Sequence, residues 1–239
     1  MIRTYIFYIA FIFSLIVTGL LLAVWHILNW FGLAGARRWY GYYVSRYWAG
    51  FLLAVAGVKV RVRGAENIPQ DDAVLFVSNH QGNFDIPVLF STLGRSIGFL
   101  AKVELAKIPV LHAWMPKLGC VLIDRADLRQ SMKAIQKCAD VIKGGQSMVV
   151  FPEGTRSRGP EVGEFKKGSL RLVEKTGVPV VPVSINGTYR VMEARGGNRI
   201  GPAEVVVTIS PPIYFHRLSK EEKDNITDIL RGTIAENVR

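Results

Sequence analysis

The stretch SNHQGNFDIP, residues 78–87, sets His80 beside Asn79 and five positions ahead of Asp85. An imidazole held at one nitrogen by a carboxylate keeps a lone pair on the other, which is the working arrangement of a general base. On a continuous helix five positions turn about 500°, so the two side chains would point apart. In a loop that turns at Gly82, with Asp85 in the first turn of a following helix, the carboxylate can fold back to the ring. The other reading is structural: Asp85 stands two residues before Pro87, a place suited to a helix N-cap, and His80 is then an ordinary loop residue. This stretch alone leaves both readings open.

A second polar cluster, FPEGTRSRG at residues 151–159, follows an apolar run. Gly154 allows close backbone approach, Thr155 offers a hydroxyl, Arg156 offers a planar fork matched to phosphate oxygens, and Glu153 can accept from a substrate hydroxyl. Taken alone it also reads as a solvated strand-to-helix loop of a basic protein. GCVLIDR brings Arg125 to the end of its own strand and AKVEL places Lys102 after another. Three strand ends bearing cations in one sheet describe an anion site. Other signatures fail. GEFKKGS has Ser169 directly after Gly168 where a phosphate loop needs lysine, and there is no G-x-S-x-G elbow. Ser78, at a strand end, reads as structural, and His26, His80, His112 and His216 lack metal-ligand spacing. Cys120 and Cys138 sit in apolar or helical stretches and read as buried, reduced thiols.

Elements with the right periods surround these clusters. VKVRVRG alternates with period two, AVLFVS is a buried strand, and an apolar helix starts near Asp85 with Pro87 in its first turn. CVLID and SMVVF read as strands flanking a helix over 128–143, with Leu128, Met132, Ile135, Ala139 and Ile142 on one face and Gly144-Gly145 as its stop. PVVPVSI and EVVVTIS are further strands, and Ser219 with Glu222 makes a capping box before a terminal helix. The alternation predicts an α/β fold, a mostly parallel sheet flanked by helices, with ligands beyond the carboxyl ends of the strands.

Residues 5–25 carry no charge, and at about 1.5 Å per residue such a run matches the roughly 30 Å hydrocarbon core of a bilayer. A secretory signal has a shorter apolar core of about 7–15 residues, so the reading is a retained anchor. Residues 37–57 then crowd Trp39, Tyr40, Tyr42, Tyr43, Tyr47 and Trp48 around Arg37, Arg38 and Arg46, a composition suited to the headgroup layer. Residues 1–57 are therefore expected to form membrane-anchoring or interfacial helices, and 58–239 the α/β domain. Whether the first helix spans the bilayer or dips into one leaflet stays open. The net charge of +11 suggests an anionic partner, and its bias to the C-terminal side of the first helix places the domain in the cytoplasm. Nucleic acid is disfavoured, because the aromatics cluster in the membrane-facing segment rather than among the domain's cations.

The blocks NHQGNFD, GCVLIDR, FPEGTRS and VPVVPVSI occur in the order seen in the glycerolipid acyltransferase family, and the chain resembles its small bacterial 1-acylglycerol-3-phosphate acyltransferases over roughly residues 58–210. The resemblance implies a membrane-bound enzyme of phospholipid biosynthesis, on the cytoplasmic face of a bacterial inner membrane. It would move an acyl group from acyl-CoA or acyl carrier protein to the 2-hydroxyl of lysophosphatidic acid, giving phosphatidic acid, without metal or cofactor. By position His80 is then the base and Asp85 its partner. Arg125, Glu153, Gly154 and Arg156 hold the glycerol phosphate, with Thr155 and Lys102 as weaker contributors, and the block around Pro182 shapes the donor region. Leu122 stands where the family often has an aromatic. The competing readings are an acyltransferase for another acceptor (glycerol-3-phosphate, a lysophospholipid or a lyso-aminolipid) and a non-catalytic module binding anionic lipid. Donor type, chain length, oxyanion donors and oligomeric state are not legible in the sequence.

Overall fold

The computed structural model describes every residue except Gly197 and Arg239, and for Ser169 the backbone alone. Two long helices open the chain, α1 (Ile2–Trp30) and α2 (Ala34–Ala56), joined by a tight turn in which Gly32 has φ 67°. They form an antiparallel hairpin in which some of the polar groups bond across its two helices. Trp48 Nε1 donates to Ser14 Oγ (3.1 Å) and the Tyr40 hydroxyl to the Leu21 carbonyl (2.9 Å). α2 ends at Gly57 in the left-handed region, and the chain enters β1 (Val58–Arg63).

The remaining strands are β2 (Leu75–Ser78), β3 (Ile97–Lys102), β4 (Val121–Ile123), β5 (Ser147–Val150), β6 (Val180–Asn186) and β7 (Ala203–Ile209). They form one sheet in the order β1-β7-β6-β2-β5-β3-β4, parallel throughout except where β6 meets β7. β2 and β5 are buried at every position, which is why they appear in the sequence as unbroken apolar runs rather than alternating ones. One face of the sheet is covered by α2 and α3 (Asp85–Thr92). There Ala49, Leu52, Leu53 and Ala56 join Val88, Leu89 and Phe90 over Phe76, Phe99 and Val149. The other face carries α5 (Leu128–Lys143), α6 (Lys167–Thr176) and α8 (Ile226–Glu236) over Leu75, Val77, Met148 and Val150. A short α4 (Pro109–Trp114) lies against α1, and α7 (Lys220–Asp224) precedes α8.

Three local expectations shift. Leu128 and Met132 are 78% and 59% exposed, and the buried face of α5 is Ala134, Ile135, Cys138, Ala139 and Ile142. β4 is the edge strand, so the first turn of the helix that follows it has no further strand to cover. β4 and β5 flank α5 as expected but are not neighbours, because β3 lies between them. The Ser219–Glu222 capping box is present, although the helix it starts breaks at Asn225 before α8. Cys138 is buried and Cys120 partly buried, and burial pushes both thiols up to about 12.

Candidate active site

Parallel pairing of β4, β3, β5 and β2 brings four carboxyl ends to one edge of the sheet. His80 follows β2, Glu153 follows β5, Lys102 closes β3 and Arg125 follows β4. The segments after β2 and β5 are joined by their backbones: Ser157 N–H donates to the His80 carbonyl (2.8 Å) and Arg158 N–H to that of Gln81 (3.1 Å). Asn79, fully buried, exchanges two hydrogen bonds with the backbone of Ile185 in β6 (2.8 and 2.9 Å), anchoring the start of the turn to the sheet.

Within this frame His80 Nδ1 lies 2.6 Å from Asp85 Oδ2. Asp85 is 0% exposed and is the first residue of α3, and of the two geometries open to it the carboxylate adopts the one that meets the ring. Its carboxylate does not cap its own helix. It reaches back into the turn, taking the Gly82 N–H on Oδ2 (2.9 Å) and the Thr188 hydroxyl on Oδ1. With Nδ1–H donated to the carboxylate, the lone pair of the ring resides on Nε2. The ring stacks on Phe151 with centroids 4.1 Å apart and planes at 16°, which fixes its tilt. Gly82 serves here for space rather than for a left-handed φ, since a Cβ would crowd the Glu193 carboxylate and make it shift.

Glu153 is also buried, and both of its oxygens are used: Oε1 accepts the His80 backbone N–H (2.7 Å) and Oε2 that of Gly163 (3.0 Å). Burial pushes its carboxyl above the usual range, and the two N–H bonds only partly offset this. Its direct contacts are therefore with the backbone under the base, a different task from the substrate hydroxyl foreseen for it. Gly154 has φ 70°, a conformation that L side chains rarely adopt. The Arg125 guanidinium donates to the Gly154 carbonyl and so ties β4 to this loop. Its desolvation lowers the guanidinium from its ordinary value and the Glu104 carboxylate pushes back. Lys102 forms an exposed ion pair with the same Glu104 (2.5 Å), so Lys102 and Arg125 share one acidic neighbour.

Arg156 points toward the turn after β2, where Nη1 donates to Asn83 Oδ1 and lies 3.5 Å from Glu193 Oε1. Thr155, next to it, faces elsewhere. It is exposed and lines a groove of about 950 Å³ with Lys166, Lys167 and residues of α8, including Asp228 and Arg231. The fold thus assembles His80, Asp85, Glu153, Gly154, Arg125 and Arg156 around one sheet edge, with Lys102 at its margin and Thr155 on an adjoining groove. Ser78 is buried with its hydroxyl on the Asn79 carbonyl (3.0 Å), as a structural residue should be. Thr188, Glu193 and Phe151 were not foreseen. The first two come from the connection between β6 and β7, more than 100 residues after the turn they touch, and carry no local signature.

An Acyltransferase family model matches residues 59–186. A chloroplastic 1-acyl-sn-glycerol-3-phosphate acyltransferase of Brassica napus is 38% identical over 181 residues, 75% of this chain and 51% of the relative. The chain spans about half the length of the plant relatives it matches. The 1-acyl-sn-glycerol-3-phosphate acyltransferase of Borreliella burgdorferi is 33% identical over 186 residues, 78% of this chain and 74% of the relative. Among solved structures, the 1-acyl-sn-glycerophosphate (LPA) acyltransferase PlsC from Thermotoga maritima superposes with a TM-score of 0.85 at 32% identity. That match covers 99% of this chain and 93% of the other. The expected resemblance and the α/β architecture are both borne out, and the matched span holds the His80–Asp85 pair together with the 151–159 loop. The chain belongs to the acyltransferase family.

Proposed function

We propose that this protein transfers a fatty acyl group from an acyl thioester to the 2-hydroxyl of 1-acylglycerol-3-phosphate, forming phosphatidic acid. The observation that carries the reading is the pair of His80 Nδ1 at 2.6 Å from the buried Asp85 Oδ2, on the sheet edge whose loops also carry the guanidiniums of Arg125 and Arg156. A lipid-binding module has no use for a base held in one tautomer. In the reaction His80 Nε2 takes the proton of the acceptor hydroxyl as its oxygen attacks the thioester carbonyl, and Asp85 stabilises the imidazolium that forms. Collapse of the tetrahedral intermediate breaks the C–S bond, and the imidazolium returns its proton to the leaving thiolate. Arg125 and Arg156 hold the phosphate, so that acceptor binding aligns the hydroxyl with the base. Acyl-CoA and acyl carrier protein are both anionic donors that a domain of this charge would attract. The relatives' printed names support lysophosphatidate over the other acceptors.

His80→Ala tests the reading. Acyl transfer to lysophosphatidate should disappear while binding to anionic vesicles persists; activity equal to the unsubstituted protein would sink the assignment.

We place the helical hairpin in one leaflet on the cytoplasmic face. α1 meets the α/β domain at both ends: the Ile200 N–H donates to Thr4 Oγ1 (3.0 Å), Trp114 Nε1 to the Thr18 carbonyl (2.9 Å), and Lys117 Nζ lies 4.6 Å from the Trp25 ring. Thr4 and Trp25 are about 32 Å apart along a helix, so a spanning α1 would draw the domain across the hydrocarbon core. The opposite side of α1 exposes Ile2, Ile6, Ile9, Ile12, Phe13, Ile16 and Leu20, and α2 adds the stripe Trp39, Tyr43 and Tyr47. That apolar surface suits the acyl region just below the headgroups.

A further inference from the structure

We propose that the connection between β6 and β7 positions both halves of this site through two residues outside the family's motif blocks. Thr188 orients Asp85, and through it His80; Glu193 sets the guanidinium of Arg156. The inference rests on the acyl-transfer reading and adds two positioning residues to it.

The role of Thr188 follows from the donors around Asp85. Asp85 is fully buried, so each carboxylate oxygen needs a partner within the protein. Oδ2 has two, the His80 ring and the Gly82 N–H, whereas the partner of Oδ1 is the Thr188 hydroxyl, itself fully buried. A hydroxyl has one proton to give. Thr188 Oγ1 also lies 3.3 Å from Gln81 Oε1, a second acceptor, but that oxygen already receives the Gly187 N–H at 2.9 Å. The shorter contact, to Asp85, takes the proton. Thr188 therefore fixes the rotation of the carboxylate about its own axis, and that rotation decides whether Oδ2 meets Nδ1.

Glu193 works on the other half. Its side chain is 5% exposed and that of Arg156 is 32% exposed, so the carboxylate is the dry member of the pair and the guanidinium the wet one. Oε1 accepts the Asn83 N–H (2.8 Å) and faces Arg156 Nη1, which also donates to Asn83 Oδ1. Oε2 is buried against Gly82 and, among the described residues, meets no hydrogen-bond donor. A carboxylate placed this way holds one corner of the fork and, among the described residues, leaves Nε and Nη2 of Arg156 without a protein partner. A fork held at one corner with its other donors unpaired is set to receive two phosphate oxygens. Because Asn83 and Gly82 belong to the same turn as His80, the connection fixes the distance between base and phosphate site, and hence which hydroxyl of a glycerol phosphate reaches the ring.

Steady-state kinetics with lysophosphatidate and acyl-CoA test this, using Thr188→Val, Thr188→Ser, Glu193→Gln, Arg156→Ala, Glu193→Gln/Arg156→Ala and His80→Ala in the full chain. Thr188→Val keeps the volume and removes the hydroxyl. It should lower kcat about 10- to 100-fold with little change in acceptor KM, and Thr188→Ser should restore most of the rate. Glu193→Gln should raise acceptor KM about 5- to 10-fold with kcat nearly kept, and should add nothing once Arg156 is alanine. Unchanged kcat in Thr188→Val beside an inactive His80→Ala overturns the role of Thr188, as does a serine variant no better than valine. Additive effects of Glu193→Gln and Arg156→Ala overturn the role of Glu193. Full activity in His80→Ala would instead remove the acyl-transfer reading, and this inference with it.

Discussion

Glu153→Gln replaces one oxygen with an amino group at a site where both oxygens are in use. The side chain is buried, with the residue 4% exposed, and its two acceptors receive the backbone N–H groups of His80 at 2.7 Å and Gly163 at 3.0 Å. A glutamine can still accept from one of them, but its NH₂ must then face the other, donor against donor. A buried donor without an acceptor costs about 1–3 kcal/mol. For a chain of this size each kcal/mol moves the melting temperature by about 2–4 °C, so the variant should melt about 2–12 °C lower. The pH dependence is a second, separate check. Burial raises the Glu153 carboxyl above its unfolded value, so the folded state binds that proton more tightly than the unfolded chain. The stability this contributes is present below the unfolded value and is lost as pH rises through the raised one. Glutamine does not titrate, so the gap between the two proteins should be wider at pH 4 than at pH 8. Thermal melts of both proteins in the same detergent and buffers measure it. Equal melting temperatures at both pH values would refute the claim that the two N–H bonds anchor the loop. A gap that widens with rising pH would show that hydrogen bonding outweighs burial at this carboxyl.

Arg125→Ala removes the proposed phosphate partner and also the tie to the Gly154 carbonyl, so the apparent KM for the phosphate acceptor should rise about tenfold or more; an unchanged KM for that acceptor would strike Arg125 from the proposed phosphate site. The hairpin turn reports its own depth. Gly35→Cys, where an added side chain meets nothing within 4 Å, should react with an impermeant maleimide only from the face of sealed vesicles that carries the domain. Reaction from the opposite face would mean that the hairpin crosses the bilayer.

Much of this protein is determined by short-range pattern. The period-two and continuous apolar runs mark six of the seven strands, β3 being marked only at its end. The Ser219–Glu222 box marks the start of α7, and the block order NHQGNFD, GCVLIDR, FPEGTRS marks the family. These signals are local because backbone hydrogen bonding and side-chain alternation act over a few residues. The pairing of His80 with Asp85 is intermediate: its spacing allowed two outcomes, and the choice came from what surrounds it. Asp85 is turned back to the ring because Gly82 offers an N–H, Thr188 a hydroxyl, and α3 starts where no polar side chain caps it.

Tertiary structure alone decided the rest. Nothing near Thr188 or Glu193 in sequence distinguishes them from loop residues; they matter because the antiparallel β6–β7 connection folds over a turn formed about a hundred residues earlier. Thr155 and Arg156 are neighbours in the chain, yet Thr155 lines the groove beside α8 while Arg156 turns to Asn83 and Glu193, partners that lie far from it in sequence. The apolar first helix is long enough to cross a bilayer, and only its contacts with Ile200, Trp114 and Lys117 show that it runs along the domain. In each case the deciding partner is distant in sequence, so the chain must be folded before the interaction exists.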